Sequence, residues 1–395
     1  MFVRDEKGEQ INMNQTGKMR IVVKVGSSSL AKKQGGCDQQ KMSLLVDAIA
    51  ALRGEGHEVV LVSSGAVASG YCLLGYEQRP RTIVAKQAAA AIGQSILMEH
   101  YSALFATYRY HIAQILLTRS DFSNQERYRH AFQTMSLLLS RNITPIINEN
   151  DTVSVTELTF GDNDMLGSLV AGMLHADIYI ILTDTDGIYD KDPRNHPDAK
   201  RFDKVATITD EIKAVAGGSG SSLGTGGMQS KVIAAETALK VGTRTFIGRL
   251  SSKDSLLHVI NGIGEGTYIG DFGEMDSDTA SPHSAEKRES VSTQKQWIAL
   301  HSAIAGRLHV DAGAQEAIQQ RKSSLLPAGI TSVEGDFSQG DVVEVYAPAG
   351  LIGRGVCRYD SELLREIISE PQKEKPITEA IHRDQWVSLP HLIQK

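Results

Sequence analysis

Lysines and carboxylates occur in this chain at positions that suit the handling of phosphate groups. Lys24 ends the apolar run IVVK and precedes Gly26 and Ser27, whose backbone amides can approach an anion closely. Lys231 closes the segment GTGGMQSK at the start of a predicted helix, where free amides and the helix dipole favour anions. Two lysines, backbone amides and a carboxylate to hold the lysines are what phosphoryl transfer needs. The pattern predicts a kinase, although the P-loop spacing G-x-x-x-x-G-K-[ST] is absent.

Carboxylates and amides are clustered in two further segments, NEND at residues 148–151 and GDND at residues 161–164. So many acidic groups repel one another unless a cation such as an ammonium group or Mg²⁺ lies among them. Helix capping would need only one such residue, either Asp162 or Asn163, so the size of the cluster favours a functional role. A hairpin is predicted between the two segments, over residues 153–160.

Each of these features has an ordinary structural explanation when it is taken alone. Lys24 is equally consistent with a strand-end lysine whose amine reaches water. The segment SSGA, which contains Ser64, has small residues that leave room for a ligand, but it is also a common helix cap. The loop at residues 217–227 could be a flexible linker, although Lys231 at its end weakens that interpretation.

The elements that must position these residues alternate between apolar runs and helical segments from Met19 to about Gly270. Buried strands are predicted at residues 20–25, 57–62, 111–117, 143–148, 178–183 and 244–247. Helices are predicted at residues 39–53, 82–108, 124–141, 165–175 and 228–241. This alternation predicts an α/β sandwich with a mainly parallel sheet and crossover connections. Every polar motif named above follows a predicted strand, which is where such sheets bind ligands.

The length of 395 residues predicts two domains. Residues 276–292 are polar and charged and indicate a linker. Short segments separated by glycines and turns follow, with no long helix before residues 360–369, so a small β-rich second domain is predicted. We therefore expect an N-terminal extension at residues 1–18, a catalytic domain at 19–275, a second domain at 293–372 and a tail at 373–395.

Composition excludes several classes of protein. A formal net charge of −6 argues against a dominant nucleic-acid role, because phosphate backbones are held mainly by an excess of Lys and Arg. Three widely separated cysteines without a CxxC pair exclude a disulfide scaffold and a zinc ribbon, and they fit a reducing cytosol. No apolar run approaches the length of a membrane span, and the polar N-terminus is not a signal peptide. A cytoplasmic protein is expected.

Together the motifs resemble the amino-acid kinase family, and most closely the branch that phosphorylates the γ-carboxylate of L-glutamate. The matching stretches occur in order: VVKVGSSSL, VSSGAVASG, INEND, FGDND, LTDTDGIYDKDPR and SLGTGGMQSK. The C-terminal stretches SSLLPAGI, GDFSQGDVVEV and GRGVCRYDS are similar to a PUA domain. The resemblance covers nearly the whole chain after the extension, and it implies an α/β/α sandwich with a PUA-like C-terminal domain.

The resemblance also implies roles for particular residues. Lys24 and Lys231 would steady the charge on the transferring phosphoryl group, and Asp164 would orient both lysines. Asp151 would bind the ammonium of L-glutamate, with Ser64 and Asn163 at its carboxylates and polar edges. The positions that match ATP-binding residues of the family are Lys24, Thr183, Asp184, Thr225, Gly226, Gly227, Met228, Gln229, Ser230 and Lys231. Mg²⁺ would bridge the phosphates without a direct protein ligand.

The family further implies inhibition by proline, a homo-oligomer and a possible reductase partner that receives the labile γ-glutamyl phosphate. Because PUA domains often bind RNA, an RNA-binding protein is the competing hypothesis. Residues 293–372 contain seven Lys and Arg against ten Asp and Glu, and the resulting charge of −3 argues against RNA as a partner. The alternatives among kinases act on acetylglutamate, aspartate or uridylate, and the pair of INEND and GDND with a PUA domain points away from all three.

Overall fold

The structure is a computed structural model. It describes residues 2–4, 10–12, 17–32, 34–154, 163–217, 227–272, 295, 297, 298, 302, 304–369 and 378–388. Several predicted features lie outside these residues, namely the linker at 276–292, residues 155–160 of the hairpin, Gly161 and Asp162 of GDND, and Thr225 and Gly226 of the glycine-rich loop. The chain forms two compact units, the first from residues 1–118 and 133–288, the second from residues 119–132 and 289–395.

The apolar runs of the first unit form one eight-stranded sheet, since their side chains can be buried on both faces. Its strands are β3 (Arg20–Val25), β4 (Glu58–Ser63), β5 (Ile112–Leu117), β6 (Thr144–Glu149), β7 (Ile178–Leu182), β8 (Lys204–Val205), β9 (Arg244–Gly248) and β10 (Gly266–Ile269). All six predicted strands are present within one residue of their expected bounds. The short strands β8 and β10 were not predicted, because they lie among turn residues and are too short for a clear pattern.

The strand order is β5-β6-β4-β3-β7-β9-β10-β8, and only the pair of β9 with β10 is antiparallel within it. The chain lays β4, β6 and β5 on one side of β3 and then crosses to place β7 on the other side. The carboxyl ends of β3, β4 and β7 therefore meet at a topological switch point, where sheets of this kind bind ligands. The predicted mainly parallel α/β sheet is confirmed.

Helices cover both faces of this sheet. The helices of the first unit are α1 (Gln39–Gly54), α2 (Ala66–Gly70), α3 (Ile83–Ala106), α6 (Asn163–Met173), α7 (Asp210–Ala216), α8 (Met228–Lys240) and α9 (Ser255–Ile260). The helix α4 (Arg119–Ser123) belongs to the second unit, and α5 (Gln125–Ser140) begins in the second unit and ends in the first. Alternate residues of β3, such as Ile21 and Val23, pack with α1, α3 and α9 in one core. Lys24 belongs to the opposite face, which contacts α6, and α6 packs against α8. A lysine thus enters the interior between the sheet and two helices.

The second unit contains a five-stranded sheet in the order β12-β11-β13-β14-β15. Its elements are β11 (Ile304–Val310), α10 (Ala312–Gln319), β12 (Ile330–Glu334), β13 (Val342–Ala347), β14 (Gly350–Val356), α11 (Ser361–Ser369) and β15 (Trp386–Ser388). The predicted β-rich domain is therefore present. The sequence pattern predicted that the domain ends at residue 372, but β15 lies beyond this residue. A single segment of three residues is too short to be recognised as a strand from sequence alone. The helix α10 was also not predicted.

The N-terminal extension also contains regular structure. The strands β1 (Phe2–Arg4) and β2 (Gln10–Asn12) pair antiparallel as a two-stranded sheet. The sequence pattern predicted no strand there, since the segment is polar and lacks alternation.

Two glycines let α2 and α3 approach closely. A Cβ atom at Gly93 would lie 1.8 Å from the carbonyl oxygen of Ala66, and one at Gly70 would lie 2.1 Å from that of Ala89. No real Cβ atom approaches a backbone oxygen so closely, so the helices must separate to accept any larger side chain. Because α2 directly follows Ser64 and Gly65, the packing of α2 on α3 also fixes the end of β4.

We expect the substitution Gly93→Ala to lower the free energy of unfolding by about 1–3 kcal/mol, the usual cost of overpacking. Urea denaturation followed by circular dichroism measures this change. Gly54→Ala is the matched control, because a Cβ atom there meets nothing within 4 Å and the residue lies in a helix. A Gly93→Ala variant as stable as Gly54→Ala would contradict the close approach of the two helices.

Candidate functional site

Three charged side chains meet in the interior between β3, α6 and α8. Lys24, Asp164 and Lys231 are 3%, 0% and 7% exposed. Lys24 forms an ion pair with Oδ1 of Asp164, and Nζ of Lys231 lies 2.9 Å from Oδ2 of the same carboxylate. Such buried ions are expensive to desolvate, so their retention needs a compensating gain or a function. Two ammonium groups held around one carboxylate also form an environment that attracts an anion.

The position of Asp164 is fixed from several directions. Ser230 lies one residue before Lys231, and its hydroxyl donates to Oδ2 of Asp164 over 3.3 Å. The hydroxyl of Tyr179, on β7, donates to the backbone carbonyl of Asp164 over 2.7 Å. A Cβ atom at Gly167 would lie 2.3 Å from this hydroxyl, so the glycine is needed for the tyrosine to reach the first turn of α6. These contacts hold the carboxylate between the two lysines.

The ionisation of Asp164 follows from the same contacts. Burial alone would raise the pKa of Asp164, but the ammonium groups of Lys24 and Lys231 outweigh this effect and hold the pKa below its ordinary value. The carboxylate therefore stays ionised at neutral pH and orients both lysines as a permanent anion.

A network of amide and hydroxyl groups adjoins the ion pairs, because Asn163 directly precedes Asp164 on α6. The two N–H hydrogens of Asn163 Nδ2 are shared among three acceptors, namely the backbone oxygen of Ser63 at 3.0 Å, the hydroxyl oxygen of Ser64 at 2.9 Å and Oδ1 of Asn148 at 2.8 Å. The helix begins at Asn163, two residues earlier than predicted, so Asn163 and Asp164 belong to its first turn and not to a preceding turn. The carboxyl ends of β4 and β6 are thus tied to the start of α6.

Asp151 follows β6 and is half-buried. Burial raises the pKa of its carboxyl group, and the charge of Arg79 partly opposes the rise. In the described part of the chain no hydrogen bond joins Asp151 to Asn163 or to the ion pairs. Asp151 lies in the loop that leaves β6, whereas Asn148 lies within the strand itself.

Besides Lys24 on β3, the residues that the resemblance assigns to ATP lie in two places. Thr183 and Asp184 directly follow β7. Because Leu182 of β7 pairs with Val25 of β3, they leave the sheet at the same edge as Gly26. The Thr183 hydroxyl donates to Oδ1 of Asp184 over 3.1 Å. Gly227 precedes α8 with extended backbone and no side-chain cap, and Met228, Gln229 and Ser230 form the first turn of this helix of 13 residues. Its first amides are therefore available to an anion. Thr225 and Gly226 lie outside the described residues.

Three residues near the site were absent from the sequence-based assignment. Tyr179 lies within an apolar run and carried no signal for its contact with Asp164. Asn148 was recognised only as part of the NEND segment. Gln94, in the alanine-rich helix α3, accepts a 2.9 Å hydrogen bond from Nδ2 of Asn148. A polar residue at a buried position of a long helix is the one signal that could have indicated it.

No group of three or more His, Cys, Asp or Glu side chains that could hold a metal ion occurs among the residues that the structure describes. Likewise, none of the helices in the described ranges is long and apolar enough to cross a membrane.

Comparison with known proteins identifies two families along the chain. Residues 19–249 match the model of the amino acid kinase family, and residues 306–374 match that of the PUA domain. Glutamate 5-kinase 1 of Bacillus licheniformis is 51% identical over 94% of this chain and 99% of its own length. Glutamate 5-kinase of Bacillus cereus is 50% identical over 94% of this chain and 100% of its own length.

Among solved structures, carbamate kinase from Giardia lamblia bound to AMP-PNP matches 65% of this chain and 99% of its own, at 17% identity and a TM-score of 0.47. The family assignment rests on the sequence matches, which span both units and exceed half of the chain. The chain belongs to the amino acid kinase family, and within that family to the glutamate 5-kinases.

Proposed function

We propose that this protein transfers the γ-phosphoryl group of ATP to the γ-carboxylate of L-glutamate, forming γ-glutamyl phosphate, the first intermediate toward proline. The observation that carries the proposal is the buried cluster of Lys24, Asp164 and Lys231 beside the amide network of Asn163. The ion pairs supply positive charge for phosphoryl oxygens, and the network supplies polar groups for an amino-acid acceptor. The glutamate 5-kinases that are 51% and 50% identical to this chain support L-glutamate as the acceptor.

For this reaction the protein needs mainly to orient the two substrates and to stabilise the negative charge on the phosphoryl group. The γ-carboxylate is already ionised at neutral pH, so no general base is required for its attack on phosphorus. Lys24 and Lys231 stabilise the negative charge that spreads over the phosphoryl oxygens during transfer. Asp164 keeps both lysines in place and does not itself accept a proton.

Recognition of the acceptor is assigned to the side of the site near β4 and β6. The carboxylate of Asp151 suits the ammonium group of L-glutamate, and the hydroxyl of Ser64 suits a carboxylate. Because Nδ2 of Asn163 is used by three acceptors, the polar atom that this residue can offer to a ligand is Oδ1. An oxygen suits the ammonium group, whereas the resemblance placed Asn163 at the carboxylates and polar edges of L-glutamate.

Binding of ATP is assigned to Lys24, to Thr183 and Asp184, and to the first turn of α8 with the preceding residues Thr225, Gly226 and Gly227. The uncapped amides after Gly227 and the ammonium of Lys231 fit the phosphates of a nucleotide. Mg²⁺ would enter with these phosphates and neutralise part of their charge. It needs few protein ligands in such sites, so the absence of a dedicated carboxylate cage among the described residues is compatible with it.

The proposal is tested by ADP release with four acceptors: L-glutamate, N-acetyl-L-glutamate, L-aspartate and uridine monophosphate. We expect turnover with L-glutamate to exceed that with each of the others by at least about 100-fold, since unpaired buried polar groups penalise a mismatched acceptor. A preference for any other acceptor would contradict the assignment and favour the corresponding branch of the family.

The ionisation of Asp151 leads to a prediction for pH. Binding of the ammonium group needs Asp151 ionised, and burial raises its pKa, so protonation weakens binding at a higher pH than for an ordinary carboxyl. We expect the KM for L-glutamate to rise as the pH falls, while kcat changes less, because bound ammonium favours the ionised form. Initial rates across a pH series measure both parameters.

Asp151→Asn is the control for this prediction. The variant lacks the carboxyl group of residue 151, so the only pH dependence left in this interaction is the ionisation of the substrate L-glutamate. The variant should have a high KM whose remaining pH dependence is that of the substrate alone. A wild-type KM that follows the same pH profile as the variant would rule out Asp151 as the titrating group.

We also propose that proline inhibits the enzyme by competing near the acceptor site, that the protein is a cytoplasmic homo-oligomer and that a reductase receives its product. For the second unit we propose a structural or regulatory role without RNA, because residues 293–372 carry a net negative charge. Submicromolar RNA affinity in a filter-binding assay at low salt would contradict this role.

A further inference from the structure

The amide network has a direction that two backbone groups impose. The carbonyl of Ser63 can only accept, so the atom of Asn163 that faces it must be Nδ2. The amide of Glu149 can only donate, so the atom of Asn148 that faces it over 2.9 Å must be Oδ1. Asn163 Nδ2 then donates to Asn148 Oδ1, and Asn148 Nδ2 donates to Oε1 of Gln94. The orientation of all three side-chain amides is thereby determined.

This arrangement of donors and acceptors leaves one buried donor of Gln94 without a partner among the described residues. Its Oε1 must face Asn148, so its Nε2 points elsewhere, and within the described chain this buried atom has no hydrogen-bond partner. The whole residue is 9% exposed. A buried donor without a partner destabilises a protein, and an apolar residue of similar size would avoid the cost. The presence of glutamine at this position therefore indicates that its oxygen has a role beyond the stability of the fold.

The contact of that oxygen leads directly to the acceptor site. Asn148 supports Asn163 from one side, while Ser63 and Ser64 hold it from the other. Without Gln94, Oδ1 of Asn148 would still face the Glu149 amide, but Nδ2 would lose its only side-chain acceptor among the described residues, so the side chain would be held at one end only. Asn163 would then have a less firmly held partner, and the direction of its Oδ1 would be less closely restricted.

We propose that Gln94 is a positioning residue of the acceptor site. Through Asn148 it holds the Asn163 carbonyl oxygen toward the ammonium group of the bound acceptor, and the orphaned Nε2 is the cost in stability of this arrangement. The inference rests on the proposed phosphorylation of an amino acid, because it requires an acceptor with a cationic ammonium group. Gln94 itself contacts neither the acceptor nor ATP in this role.

The test compares Gln94→Met with the wild type, using L-glutamate and glutarate, which is the same dicarboxylate without the ammonium group. We expect Gln94→Met to lower kcat/KM for L-glutamate roughly 10- to 100-fold, the usual effect of losing a hydrogen bond to a charged group. Competitive inhibition by glutarate and the KM for ATP should not change, and the melting temperature should stay the same or rise. Ser95→Ala, at an exposed neighbour on α3, should leave every parameter unchanged.

A double-mutant cycle with Asn163→Ala shows whether Gln94 acts through that residue. We expect Gln94→Met to have little further effect on L-glutamate in the Asn163→Ala background. Equal losses for L-glutamate and glutarate, or full additivity in the cycle, would overturn the inference. Should Gln94→Met fail to fold, Gln94→Glu retains an acceptor for Asn148; a retained preference for L-glutamate supports the inference, and a lost one overturns it.

The outcomes for the two proposals are distinguishable. A wild-type protein that does not phosphorylate L-glutamate overturns the proposed function and this inference with it. Normal wild-type turnover with an unchanged preference in Gln94→Met overturns the role of Gln94 alone.

Discussion

Replacing Asp164 by asparagine is expected to reduce kcat by roughly 10³-fold or more, since both lysines lose the anion that orients them. Asparagine has nearly the same shape, but it carries no charge to hold the ammonium groups of Lys24 and Lys231 together. Two buried cations would then repel each other and move toward water or lose protons. Removing one member of a buried charge cluster also costs about 3–5 kcal/mol of stability.

The rate and the stability of Asp164→Asn can be separated by experiment. A thermal melt with and without nucleotide shows whether the variant folds, and saturating substrates then give kcat for the folded fraction. Ser230→Ala is the milder change at the same carboxylate, because it keeps the charge of Asp164 and removes only a hydroxyl, which lies 3.3 Å from Oδ2 of Asp164 and 2.8 Å from the carbonyl oxygen of Gly227. Folded Asp164→Asn with near-normal kcat would show that the carboxylate does not organise the phosphate site.

Lys231→Met is expected to lower kcat by about 10²- to 10³-fold, the typical effect of removing one group that stabilises transition-state charge. Methionine retains the apolar stem and removes the ammonium, so the packing of α8 on α6 should persist. The KM for L-glutamate should change less than kcat, because Lys231 acts on the phosphoryl group and not on the acceptor.

Lys240→Met provides the comparison on the same helix. Lys240 lies at the other end of α8 and pairs on the surface with Glu236, with Nζ 3.3 Å from Oε1. Such an exposed pair contributes little to stability, so this variant should behave like the wild type. Equal activity of Lys231→Met and Lys240→Met would exclude Lys231 from the transfer step.

Much of the fold could be predicted from local sequence patterns. The apolar runs around β3, β4 and β7 are long enough to indicate buried parallel strands, and the motifs at their ends led to the prediction that a ligand binds there. Lys24 stood out because lysine is a costly residue in a buried strand, and Lys231 because it follows a glycine-rich segment at the start of a predicted helix. These signals depend only on neighbouring residues, so they can be recognised in a single amino-acid sequence.

The contacts that organise the site depend on tertiary structure and were beyond the reach of such patterns. Gln94 lies in an alanine-rich helix, and only the packing of α3 beside β6 brings it to Asn148. Tyr179 looks like any buried aromatic residue until α6 places the carbonyl of Asp164 above it. The strand β15 is too short to be recognised before its partner β14 is known. The residue roles and the domain boundaries stay predictions.

The central claim is that an acyl phosphate forms on the γ-carboxylate of L-glutamate at the site of Lys24, Asp164 and Lys231. The most direct measurement incubates the protein with L-glutamate, ATP and Mg²⁺ in hydroxylamine and identifies the trapped product by mass spectrometry. The account predicts γ-glutamyl hydroxamate with the wild type and its near-complete loss with Lys231→Ala. No hydroxamate from the wild type, or an undiminished yield from Lys231→Ala, would contradict it.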